Sequence, residues 1–113
     1  MKVLVVDDSI FVRHFIKKLI LDTYPETEVL FAASGEEGYE SYKNNKPDII
    51  ITDLLMPGVD GHEFIKMVKS DNEDVKIFVL SADIQNAVKQ EVLGYGVTAF
   101  LNKPLNEENF RLY

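Results

Sequence analysis

The chain has 113 residues, 46% hydrophobic and 27% charged, with a net charge of -7, the proportions of one folded domain spanning residues 1–113. Twelve basic residues face nineteen acidic ones, which argues against direct contact with nucleic acid, and the lack of cysteine excludes disulfide frameworks, thiolate zinc sites and cysteine nucleophiles. No apolar run approaches the roughly 18 residues of a membrane span, and Val3–Val6 is too short for a secretory leader, so the expected location is the cytoplasm.

Five short apolar runs punctuate the chain. The first, Val3–Val6, reads as a strand buried on both faces, because it is apolar throughout rather than alternating. A helix follows, with Phe11, Phe15, Ile16, Leu19 and Ile20 as its apolar stripe and Arg13, His14, Lys17 and Lys18 on the other face. Val29–Ala33 is the second strand. Ser34 with Glu37 then forms a capping-box start for a second helix. Ile49–Thr52 is the third strand. Asp60 with Glu63 opens a third helix carrying Phe64, Ile65, Met67 and Val68. After the strand Ile77–Leu80, a fourth helix runs from about Asp83 to Leu93 and stops at Gly94. Thr98–Leu101 is the fifth strand, and Asn106 can cap a short last helix after Pro104.

Strand alternating with helix in this way implies βαβ units, a parallel sheet and helices on both of its faces. Ligands of such sheets bind beyond the carboxyl ends of the strands. The residues found there are Asp7 and Asp8 after the first run, Asp53 after the third, Ser81 after the fourth and Lys103 after the fifth. Each is bland alone: Asp7-Asp8-Ser9 caps a helix, Ser81 is a cap, and Asp53 and Lys103 are ordinary surface charges. Together they crowd three carboxylates, a hydroxyl and an ammonium onto one rim. Carboxylates so packed repel, and a hard cation such as Mg²⁺ relieves that. Mg²⁺ beside a lysine suits phosphoryl chemistry, with one aspartate as nucleophile. Asp53 is the best candidate, since the loop after it offers backbone groups to ion and phosphoryl. His14 and His62 read as surface residues, neither having a second ligand at the spacing a metal site needs.

Four motifs in order carry a family resemblance over the whole chain. They are Val5-Val6-Asp7-Asp8-Ser9 with Arg13 following, the stretch from Asp53 to Gly61, Leu80-Ser81-Ala82, and Phe100-Leu101-Asn102-Lys103-Pro104. The chain resembles the receiver domain of two-component response regulators, most closely the single-domain, CheY-like chemotaxis type. The resemblance implies a flavodoxin-like (βα)5 fold with strand order 2-1-3-4-5. It implies Mg²⁺ held by Asp7, Asp8, Asp53 and the backbone carbonyl of Leu55. It makes Asp53 the phosphoacceptor, Lys103 and Ser81 the groups that bond the phosphoryl, and Ser81 with Phe100 the switch pair. A cis Lys103–Pro104 bond is implied too. The implied partners are a histidine kinase as donor and a downstream protein or output domain that reads the fourth helix, fifth strand and fifth helix. Such a protein is a signalling switch, not an enzyme with turnover.

Two departures stand out. Only nine residues follow Pro104, so the last helix is short, and Phe110, Leu112 and Tyr113 are expected to be sticky enough to drive self-association. Phe100 stands where the family often has tyrosine, so its rotamer must rest on packing. Leu55 and Asp83 fall at positions that tune dephosphorylation in the family, and apolar Leu55 cannot orient a water. Two rival classes are disfavoured. A flavin carrier would have its phosphate repelled by Asp7-Asp8, and an aspartate-nucleophile phosphatase wants an acid where Leu55 stands. A phosphate sink, or the receiver half of a longer regulator, remains open beside the stand-alone switch.

Overall fold

The computed structural model describes residues 1–54, 60–81, 86–102 and 110. Five strands alternate with four helices: β1 (Lys2–Val6), α1 (Ile10–Thr23), β2 (Glu28–Ala32), α2 (Gly35–Asn45), β3 (Ile49–Asp53), α3 (Gly61–Asp71), β4 (Lys76–Ser81), α4 (Asn86–Leu93) and β5 (Ala99–Asn102). All strand pairs are parallel, and their order is β2-β1-β3-β4-β5, as the resemblance implied. The fifth helix with its Asn106 cap, the Lys103–Pro104 bond, Asp83 and Leu55 fall outside the described residues.

Burial follows from strand position. Val3–Val6 of β1 and Ile50–Thr52 of β3 are fully buried because helices cover both sheet faces. Leu4, Val6, Ile50, Ile77 and Val79 pack against Phe64, Ile65 and Val68 of α3 and Val92 of α4. Val3, Val5, Ile51, Phe78, Leu80 and Leu101 pack on the opposite face against Ile16, Leu19 and Ile20 of α1, and against Phe110. Each such side chain contributes roughly 1.5–3 kcal/mol by leaving water. The edge strands are less covered: β2 leaves Val29, Leu30 and Phe31 half-buried, and β5 leaves Ala99 and Phe100 so.

Two sequence expectations need correction. Phe11 and Phe15 are not in the α1 core stripe; Phe11 is 78% exposed, and the two rings stack on each other 6.4 Å apart, facing outward. The helix has more apolar residues than one face can hold, and contact with the sheet selects Ile16, Leu19 and Ile20. Phe110 is not a sticky surface residue, because it is completely buried against the α1 face of the sheet. Leu112 and Tyr113 lie outside the described residues.

The helix starts follow the capping arithmetic. Ser34 accepts from the Glu37 amide, while the Glu37 carboxylate reaches back to the Ala33 amide at 3.0 Å. Asp60 accepts from the Glu63 amide at 3.0 Å. Ser9 caps α1 by accepting from the Val12 amide. These caps fix where each helix leaves the carboxyl rim of the sheet.

Candidate functional site

The register sets the site. β1 and β3 run side by side with Val6 paired to Thr52, and one residue further along each strand stand Asp7 and Asp53. The strand order reverses between these two strands, so their carboxyl ends border the crevice where such sheets take ligands. Asp7, Asp8 and Asp53 each bring one carboxylate oxygen to within 4.8 Å of the others. Their exposure is graded: Asp7 is 2% exposed, Asp53 half-buried and Asp8 exposed. The cluster is therefore anchored in the core and open to solvent on one side.

Asp7 is held at every group the backbone offers. Its amide donates to the Ala32 carbonyl at 3.0 Å, across to β2. Its carbonyl accepts from Arg13 Nη1 at 2.7 Å. Its carboxylate Oδ1 accepts from the Ser9 amide at 2.9 Å. Asp53 is fixed similarly: Oδ1 accepts from the Leu54 amide at 2.7 Å, and its carbonyl from the Thr52 hydroxyl at 2.9 Å. The Gly61 amide then donates to the Leu54 carbonyl at 2.9 Å, tying the start of α3 to the end of β3.

A hard oxygen-only donor set with this range of burial fits a divalent cation such as Mg²⁺, which takes one or two carboxylates and keeps several waters. The three ligands are all carboxylates, the donor type that suits Mg²⁺, Ca²⁺ or Mn²⁺.

The other predicted residues divide. Ser81 ends β4 and pairs with Asn102 of β5, which sets both on the same rim as Asp53. Lys103 and Leu55 lie outside the described residues. Phe100 sits in β5, half-buried against the core face that α4 covers, with Lys89 Nζ of α4 5.9 Å from its ring centre. His62 is not at the carboxylates. Its Nδ1 lies 3.1 Å from the Tyr95 hydroxyl, which itself donates to Glu91 at 2.7 Å and is pushed up to about 12, chiefly by that bond. This chain of contacts joins the start of α3 to α4.

Reading the sequence did not find the parts that Arg13 and Gly61 play in the geometry. The sequence places Arg13 on a polar helix face and in the first motif, and Gly61 in the second motif, without the contacts that either makes. The available signal was position: each lies in the first turn of a helix that starts at the rim.

Comparison with known proteins is consistent with this geometry. The family model described as "Response regulator receiver domain" matches residues 3–112. The chemotaxis protein CheY of Thermotoga maritima is 37% identical over 103 residues, covering 91% of this chain and 85% of that protein. The transcriptional regulatory protein YesN of Bacillus subtilis is 42% identical over 77 residues, but this chain spans only 21% of its length. A solved structure of the chemotaxis protein CheY4 of Vibrio cholerae superposes with a TM-score of 0.86 at 35% identity, covering 96% of this chain and 90% of that one.

Proposed function

Because the chain belongs to the response regulator receiver domain family, we propose that it is a phosphorylation-driven switch that takes a phosphoryl group from a histidine kinase onto Asp53. The observation that carries the reading is the triad of Asp7, Asp8 and Asp53 at the sheet's reversal point. In this reading Asp7, Asp8 and Asp53, with the Leu55 carbonyl, hold Mg²⁺. When bound, the ion neutralises charge on the carboxylates and on the phosphoryl oxygens.

The chain's own residues do the rest. One Asp53 carboxylate oxygen attacks phosphorus, the phosphorus–nitrogen bond to the donor histidine breaks, and the imidazole leaves with the bonding electron pair. The Leu54 amide on Asp53 Oδ1 fixes the orientation of the carboxylate for that attack. Lys103 bonds the carboxylate and then the transferred group. Ser81 follows the phosphoryl inward, and Phe100 repacks toward the space it vacates, which alters the α4–β5 surface. The change is a shift between two packings that both exist before phosphorylation. Ile10 and Phe11 are exposed directly after the carboxylates and offer an apolar approach surface for the donor.

The match to CheY supports a chemotaxis-like signal working in the cytoplasm. The YesN match supports a second reading, in which this receiver controls an attached output domain. Among the described residues no helix is long and apolar enough to cross a membrane.

The test is intact mass after incubation with acetyl phosphate, with and without Mg²⁺, for wild type and Asp53→Asn. One added phosphoryl that requires both Mg²⁺ and Asp53 is the expected result. Phosphoryl on the Asn variant, or none on the wild type, would overturn the assignment.

A further inference from the structure

Arg13 lies in the first turn of α1, where helix physics gives a cation no reason to be. The helix N-terminus carries partial positive charge, which favours acids there. The first turn of α1 contains no acidic residue to offset this. The Arg13 side chain also turns inward instead of into water. Its Nη1 donates to the Asp7 carbonyl at 2.7 Å, its guanidinium lies 5.9 Å from the centre of the Phe31 ring, and its Nε is buried with no acceptor among the described residues. A charged donor kept in place at that cost is held for what it contacts.

What it contacts is the peptide of a carboxylate in the acidic cluster. The Asp7 amide is already bonded to Ala32 of β2, and Arg13 secures the carbonyl on the other side of the same residue. The Asp7 backbone is thereby clamped between β2 and α1, and its carboxylate is aimed toward Asp8 and Asp53. Phe31, which pairs with Val5 of β1, lies under the guanidinium and supports it from the β2 side.

We infer that Arg13 is a positioning residue for the divalent cation, clamping Asp7 so that its carboxylate is ready before the ion arrives. The inference rests on the reading that Asp7, Asp8 and Asp53 hold Mg²⁺.

Charge and position make opposite forecasts here, which gives the inference its edge. Coulomb's law says that deleting a cation beside a cation site should tighten Mg²⁺ binding. Loss of an outer-shell orienting group weakens metal affinity, commonly by about 10–100-fold. The clamp therefore predicts that Arg13→Met binds Mg²⁺ about tenfold more weakly despite losing a positive charge. Arg13→Lys keeps the charge and one donor and should fall between the two. Phe31→Leu keeps Arg13 but removes the ring that Arg13 shares with His14 and Lys17, and should weaken binding less than Arg13→Met.

The experiment is calorimetric titration of the full chain with MgCl2 for the wild type and these three variants, with urea unfolding to establish that each is folded. Acetyl phosphate uptake is then measured against Mg²⁺ concentration. The expected result is a shift of the Mg²⁺ midpoint in the stated order with the same plateau at saturation. Equal or tighter Mg²⁺ binding by folded Arg13→Met overturns the clamp. If that variant does not fold, unchanged affinity in both Arg13→Lys and Phe31→Leu overturns it instead. A wild type that binds no Mg²⁺ fails differently, since it removes the metal reading along with the inference built on it.

Discussion

At Gly61 the first turn of α3 touches the chain leaving β3. A Cβ added there would overlap the Asp53 carbonyl oxygen and the Leu54 Cα, far inside van der Waals contact, and both are backbone atoms that cannot swing aside. Helix propensity favours alanine over glycine by about 1 kcal/mol. The steric conflict should reverse that sign and leave Gly61→Ala destabilised by about 2 kcal/mol. Because the displaced atoms belong to Asp53, phosphoryl uptake should fall as well. Urea unfolding and intact mass measure the two effects, and a stabilised variant that accepts phosphoryl normally would contradict the argument. The same residue marks a limit of sequence reading. Asp7, Asp8 and Asp53 could be found from type and place alone, because acids at strand ends are chemically conspicuous. Gly61 acts through what its missing side chain would meet, and Arg13 through a carbonyl six residues back, and neither contact leaves a periodic trace.

Between elements, the contact with the clearest chemical signature is a hydrogen bond from Tyr42 of α2 to Asp71 at the end of α3, 2.7 Å long. Burial first, and then this bond to a carboxylate, push the Tyr42 hydroxyl up from 10 to about 12. The folded chain thus keeps a proton that the unfolded chain gives up near pH 10. The associated stability is complete below pH 10 and disappears as pH climbs toward 12. Tyr42→Phe should therefore be less stable than wild type at neutral pH, and the difference should shrink across that window. Tyr95 titrates over the same range in both proteins and cancels from the comparison. A gap that stays constant from pH 9 to 12 in chemical denaturation would rule out the linkage. At the end of α2, Lys46 adopts a left-handed conformation (φ 48°) that glycine enters more readily. Lys46→Gly should raise stability by about 0.5–1 kcal/mol, read as a shift in the urea midpoint. Legibility at this scale was uneven. Strands were found because continuous apolar runs of four or five residues have few other uses. The buried face of α1 is ambiguous in the sequence because Ile10, Phe11, Val12, Phe15, Ile16, Leu19 and Ile20 satisfy more than one helical stripe. Only contact with Val3, Val5 and Ile51 selects among them.

Across the whole molecule, stability and the acidic site pull in opposite directions. Alternation of strands and helices pointed to a parallel sheet, but periodicity cannot say which strands are neighbours. The order β2-β1-β3-β4-β5 was reached through the family motifs. Nor could the sequence tell that Phe110 completes the α1 face of the core. Phe110→Ala should cost about 3–5 kcal/mol, a large share of the roughly 5–15 kcal/mol that holds a domain together. The carboxylates act in the other direction. Asp7 is buried beside Asp53 and Asp8, and their mutual repulsion opposes folding whenever no cation is bound. Asp53→Asn keeps the shape, and its amide oxygen can still accept from Leu54, but it removes one negative charge from the cluster. In EDTA the variant should therefore melt at a higher temperature than wild type, by an amount corresponding to about 1 kcal/mol. Adding Mg²⁺ should reverse the ranking or narrow it. A ligand that binds only the folded state stabilises in proportion to the logarithm of its concentration over Kd, and the variant's Kd is weaker. Melting curves of both proteins in EDTA and over a series of Mg²⁺ concentrations check this. A variant less stable than wild type in EDTA, or one with an undiminished Mg²⁺ shift, would mean that Asp53 neither strains the metal-free fold nor helps hold the ion.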